Sequence, residues 1–88
     1  MSQTYQVLSA TYGALAGGNP DDTQASIVTQ ALQNQLPPNS SGVVNINNST
    51  MGGDPSPGNT KHFGAIVSVN GGAPQPFACQ EGQTIDFS

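Results

Sequence analysis

Apolar and polar positions alternate over residues 4–12, with Tyr5, Val7, Ser9 and Thr11 on one side and Gln6, Leu8, Ala10 and Tyr12 on the other. A period of two in a stretch rich in β-branched and aromatic residues predicts a strand with one better-buried face, ended by Gly13. Gly17-Gly18-Asn19-Pro20 reads as a turn-rich connector. The period then changes. Asp21, Asp22 and Thr23 are residue types that cap a helix, and acids suit the positive end of its dipole. Ile27, Val28, Ala31, Leu32 and Leu36 follow at helical spacing, so the pattern predicts a helix over residues 23–35, stopped by Pro37-Pro38.

Period two returns at Val43, where Val44 and Ile46 face one way and Val43, Asn45 and Asn47 the other. Residues 49–59 hold three glycines and two prolines and predict a long irregular loop. The strongest strand pattern is 63–69, where Phe63, Ala65, Val67 and Val69 alternate with Gly64, Ile66 and Ser68. Asn70-Gly71 is a hairpin signal, because both residues tolerate positive φ. Pro74-Gln75-Pro76 marks the return strand as a sheet edge. Glu81-Gly82 is a second tight turn before a short closing strand at 84–87. The order strand, helix, four strands predicts an α+β, β-rich single domain over residues 1–88: a small antiparallel sheet or sandwich with one helix. Leu32 and Ile66 are the expected core pair, with Gln30 and Gln33 on the outer helix face.

Composition narrows the partners. Charged residues are 7% of the chain against about 25% in an ordinary domain. One lysine and no arginine oppose five acids, which excludes a phosphate backbone or an anionic membrane as partner. No apolar run is long enough to span a bilayer. Met1-Ser2-Gln3-Thr4-Tyr5-Gln6 lacks a basic n-region and an apolar h-region. The expected location is the cytoplasm, or the exterior without a signal peptide. Cys79 is a lone cysteine and is expected to pack as a small hydrophobe rather than react.

Several motifs share an order with a known group. Leu8-Ser9-Ala10-Thr11-Tyr12-Gly13 comes first, then Asp22-Thr23 with Ile27-Val28 behind, then residues 47–58 (Asn-Asn-Ser-Thr-Met-Gly-Gly-Asp-Pro-Ser-Pro-Gly), then Lys61. The chain in this respect resembles the small bacterial and fungal proteins related to the C-terminal domain of the DnaJ-like subfamily C member 11 proteins, a domain of unknown function. The resemblance covers residues 7–87, and its most specific part is the Asn-Asn to Gly-Asp-Pro segment. It departs from the pattern in the Gln-rich helix region and at Pro74-Gln75-Pro76. With no J domain ahead of these residues it implies no chaperone role, and it carries over no catalytic residue. It implies a β-rich single domain.

The loop at 51–58 is where the sequence concentrates recognition chemistry. Asn47, Asn48, Thr50, Gly52, Gly53, Asp54 and Asn59 combine an acid, amides, a hydroxyl and accessible backbone, a donor and acceptor set that matches sugar hydroxyls. One carboxylate is too few for calcium, which takes about 6–8 oxygens, so no metal or cofactor is expected. The bland reading is a structural turn, with Asp54 capping backbone amides ahead of Pro55. Asp21-Asp22 fits a helix cap better than a catalytic pair, Lys61-His62 fits a strand-entry surface pair, and Glu81 and Asp86 flank the last turn. The expectation is a non-enzymatic binding module for neutral carbohydrate, or else a protein-interaction domain. In the second case the lean core favours a homodimer, formed by sheet extension from the edge-like strands of 63–87.

Overall fold

The computed structural model describes residues 3–88; Met1 and Ser2, part of the leader reading, lie outside them. Strand β1 (Tyr5–Leu15) runs centrally and turns through a short 3-10 segment, Ala16–Gly18, into β2 (Thr23–Ile27). Helix α1 (Thr29–Gln35) follows, then β3 (Val43–Asn45), β4 (His62–Val69), β5 (Gln75–Gln80) and β6 (Thr84–Asp86). The larger sheet is antiparallel in the order β2-β1-β4-β5, and β3 pairs with β6 in a second, two-stranded sheet. The architecture is therefore α+β and β-rich, with a single helix among the described residues.

Three expectations about the elements need correction. The helix begins at Thr29, not at residue 23, because Thr23–Ile27 pairs with β1 as a strand. Asp21 and Asp22 consequently sit in a hairpin turn and cap nothing; Val28 precedes the helix without a side-chain cap. Gly13 does not end β1 but lies within it. A Cβ there would collide with the backbone of Gln24 and Ala25, so glycine is what lets β2 fold closely over β1.

The third correction concerns β1 itself. Its pairing with β4 slips between Val7 and Ser9. A bulge inserts one residue and so exchanges the two faces of a strand. Tyr5 and Val7 before it and Ala10 and Tyr12 after it are all buried on one face, leaving Leu8 exposed. Together with Phe63, Ala65 and Val67 of β4 they meet Val28, Leu32 and Leu36 from the helical segment, and Val44, Ile46, Met51 and Phe87 from the opposite layer. Ile66 points to the other face of β4 and is half-buried; Leu32 is fully buried. Of the expected core pair only Leu32 belongs to the core.

Asn70 and Gly71 both have positive φ, 54° and 72°, and the Gly72 N–H closes the turn on the Val69 carbonyl at 2.9 Å. This is the hairpin expected between β4 and β5, and β5 is the predicted edge strand. Half-buried Cys79 packs against the core from β5, and burial pushes its thiol pKa up.

Helix α1 completes the sheet through its side chains. β2 covers only residues 11–15 of β1. Beyond that, Val28 N–H donates to the Ala10 carbonyl and the Thr29 hydroxyl accepts from Ala10 N–H. One turn later Gln33 accepts from Val7 N–H and donates to the Tyr5 carbonyl, each at 2.9 Å. Gln33 is thus a substitute for a neighbouring strand, not an outer-face residue. Gln33→Ala is expected to leave two strand groups unpaired and cost about 1–3 kcal/mol. Gln30→Ala, which removes only an exposed bond to Asn34, should stay within about 0.5 kcal/mol. Equilibrium denaturation of the two variants checks the order.

Candidate functional site

The segment between β3 and β4 is irregular but closely bonded. Asn47 and Thr50 bond reciprocally, each side chain accepting the other's backbone N–H at 3.1 and 2.9 Å. The Thr50 hydroxyl donates to the Asn45 carbonyl at 2.7 Å, and the Asn47 amide donates to the Asn45 side chain at 2.6 Å. Asn48 receives the Tyr12 hydroxyl at 2.6 Å, and its carbonyl receives Gly53 N–H at 2.8 Å. Met51 is buried beneath this turn. Gly52, at φ 88°, takes a left-handed conformation that suits glycine.

Asp54 accepts Ser56 N–H at 3.1 Å, the turn that the bland reading expects. Ser56 is fully buried; its hydroxyl donates to Gln24 of β2 and accepts from Asn59. Asn59 in turn accepts Gly17 N–H at 3.2 Å, tying the loop to the β1–β2 connector.

Below the loop lies the one cation of the chain. Lys61 is not a surface residue beside His62: it is 3% exposed, while His62 is exposed. Its ammonium is 2.8 Å from Asp54 Oδ1 and 3.4 Å from Glu81 Oε1, and donates to the Ser56 carbonyl at 3.2 Å. Glu81 also accepts Lys61 N–H at 2.9 Å and returns its own N–H to the Lys61 carbonyl at 2.8 Å. The bond to Lys61 holds the Asp54 carboxyl below its ordinary range, and the same bond raises the Lys61 ammonium. Burial, then the charge of Glu81, raises the Tyr12 phenol. A charge cluster thus fastens the loop, the entry to β4 and the β5–β6 turn to one another.

Above this base, Ser26, Ile27 and Val28 face Met51–Pro55 across a cleft of about 350 Å³. Of the seven residues singled out from sequence, Gly52, Gly53 and Asp54 line it. Asn47, Asn48, Thr50 and Asn59 do not; their side chains make the bonds described above. The structure adds Ser26, Ile27 and Val28, which the helix reading of that segment concealed. A second, mostly apolar hollow of about 440 Å³ lies on the outer sheet face over Gly13, Leu15, His62 and Gly64. No helix among the described residues is long and apolar enough to cross a membrane. Comparison with protein-family models, curated proteins and solved structures finds no match to this chain.

Proposed function

We propose that the chain is a non-enzymatic binding module whose cleft between β2 and the Met51–Pro55 loop takes a neutral, hydroxyl-bearing ligand of the carbohydrate class. The supporting observation is the composition of that cleft. Its lining divides in chemistry between the polar Ser26 hydroxyl, glycine backbone and Asp54 carboxylate and the apolar Ile27, Val28, Met51 and Pro55. A sugar ring has the same division, hydroxyls on its rim and C–H groups on its faces. Lys61 offsets the Asp54 charge from below, so a neutral ligand meets an acceptor without an isolated charge to desolvate. The bonds that consume Asn47, Asn48, Thr50 and Asn59 fix the loop in advance, which lowers the ordering cost of binding. The relationship to the DnaJ-like subfamily C member 11 group is part of the same proposal and assigns no ligand.

A glycan array followed by NMR titration tests the reading. Hits should perturb the amides of Ser26, Gly52 and Gly53, and Ser26→Trp, which fills the cleft from an exposed position, should abolish binding with little change in melting temperature. An array without hits, or binding that survives Ser26→Trp, removes it.

A further inference from the structure

Strand β2 leaves one edge of the four-stranded sheet open, and its backbone orientation is fixed by the bonds around it. Ala16 N–H donates to the Asp22 carbonyl and Val28 N–H to the Ala10 carbonyl, each at 2.9 Å. Residues 22, 24, 26 and 28 therefore turn toward β1. By the two-residue period of a strand, Thr23, Ala25 and Ile27 direct their N–H and C=O groups away from the sheet. All three residues are exposed, and Ile27, at 87%, is the most exposed large hydrophobic residue among the described residues. Nothing in β2 protects this edge, since it holds neither proline nor charge. The opposite edge, β5, contains Pro76 just after Pro74, which removes donors from any further ladder.

We propose that β2 pairs antiparallel with β2 of a second copy about a two-fold axis at Ala25, giving one continuous sheet of eight strands. The homodimer interface is then on β2, not on the strands of 63–87 to which the sequence pointed. In this register Ala25 faces Ala25, and Ile27 of each copy stands opposite Thr23 of the other. Thr23 is itself opposite Leu15 in the β1 pairing, so Ile27 enters a row that continues into a second exposed apolar side chain. Charge placement favours a second copy as occupant. The nearest acids, Asp21 and Asp22, lie beyond the strand end, and each Asp22 comes opposite Val28 of the other copy. The two Asp22 residues are then six strand positions apart, about 20 Å, well outside a screening length of about 8 Å. Two chains of net charge −4 thus meet along a neutral seam. Val28 also lines the β2–loop cleft, so each copy brings a carboxylate to the flank of the other's cleft; the dimer itself does not depend on what the cleft binds.

Sedimentation equilibrium of the full chain from low to high micromolar concentration, with amide exchange read by NMR, tests the proposal. The expected result is a dimer in which the Thr23, Ala25 and Ile27 amides exchange slowly. Ala25→Pro deletes an outward donor at the axis without touching the β1 ladder, and Ala25→Lys puts two ammonium groups directly opposite each other at the axis. Both should be monomeric with a wild-type circular dichroism spectrum and fast exchange at the Thr23 and Ile27 amides. If Ala25→Pro fails to fold, Ala25→Lys decides. A wild-type chain that stays monomeric, whatever else binds its edge, or a dimer that persists in Ala25→Lys, overturns it.

Discussion

Replacing Tyr12 with alanine is expected to cost about 3–5 kcal/mol, the range for deleting a buried aromatic side chain. A domain of this kind holds roughly 5–15 kcal/mol in all, so the variant should sit close to its unfolding transition at room temperature. The reason is position. Tyr12 is completely buried, lies on the central strand opposite Phe63, and sends its hydroxyl to Asn48 at the start of the irregular loop. One side chain therefore fills the core and anchors the cleft wall. Tyr12→Phe separates the two roles, because it keeps the ring and leaves Asn48 Oδ1 without its donor, an expected loss of about 1–3 kcal/mol. Urea denaturation should rank wild type above Phe and Phe above Ala, with faster amide exchange at Gly53 in both variants. A Tyr12→Phe protein as stable as wild type would mean that the loop holds itself without the anchor.

The elements that sequence made legible are those whose signal is local. Asn70-Gly71 dictates its own turn through two positive φ values. The alternation of β4 matches its burial at Phe63, Ala65 and Val67, and the prolines of β5 place it at an edge. The features that were not legible depend on partners distant in the chain. Residues 23–27 fit a helical stripe because Ile27 and Val28 precede Ala31 and Leu32 at the right spacing. Pairing with β1 overrides that propensity, turning Ile27 outward and leaving Val28, Leu32 and Leu36 as the true stripe. A one-residue bulge reverses the faces of β1 without a composition signal, so simple alternation pairs Val7 with Ser9 rather than with Ala10.

The site shows the same division. The loop at 49–59 was evident from its glycines and prolines, and the Asp54 turn from the proline after it. The burial of Lys61 was not, because lysine is among the residues least often buried. A signal for it did exist. A chain with five acids and a single lysine has one cation for any buried carboxylate contact, and that lysine follows the acidic loop directly. Gln33 was hidden for a similar reason: a polar residue on a helix reads as solvent-facing until a strand edge without a neighbour is found beside it.

Lys61→Met should lower the melting temperature across the neutral range and flatten its dependence on pH at both ends. The bond to Lys61 depresses the folded carboxyl pKa of Asp54 below its ordinary 3.8. That contribution is present above pH 3.8 and is lost as pH falls through the lower folded value. The Lys61 ammonium is raised above its ordinary 10.5, chiefly by Asp54. Its contribution is complete below pH 10.5 and is lost as pH rises through the higher folded value. Stability of the wild-type chain is thus expected to plateau between these limits. Methionine keeps an apolar stem of similar length but leaves the Ser56 carbonyl without its donor, and leaves Asp54 and Glu81 as neighbouring like charges. On the acid side the variant should retain only what other groups contribute, including Asp86, whose carboxyl is held low by Ser88. On the alkaline side Tyr12 remains, since burial raises its phenol pKa: its contribution is complete below the ordinary 10.0 and is lost as pH rises through the higher folded value. Asp54→Asn keeps an acceptor for Ser56 N–H and removes the charge, so it should reproduce the flattened acid limb with a smaller drop at neutral pH. Melting curves from pH 2 to 12 for the three proteins decide the matter. An acid limb unchanged in both variants would show that the Lys61 cluster does not hold the loop, and that the cleft wall is fixed by Tyr12 and the Asn47–Thr50 turn alone.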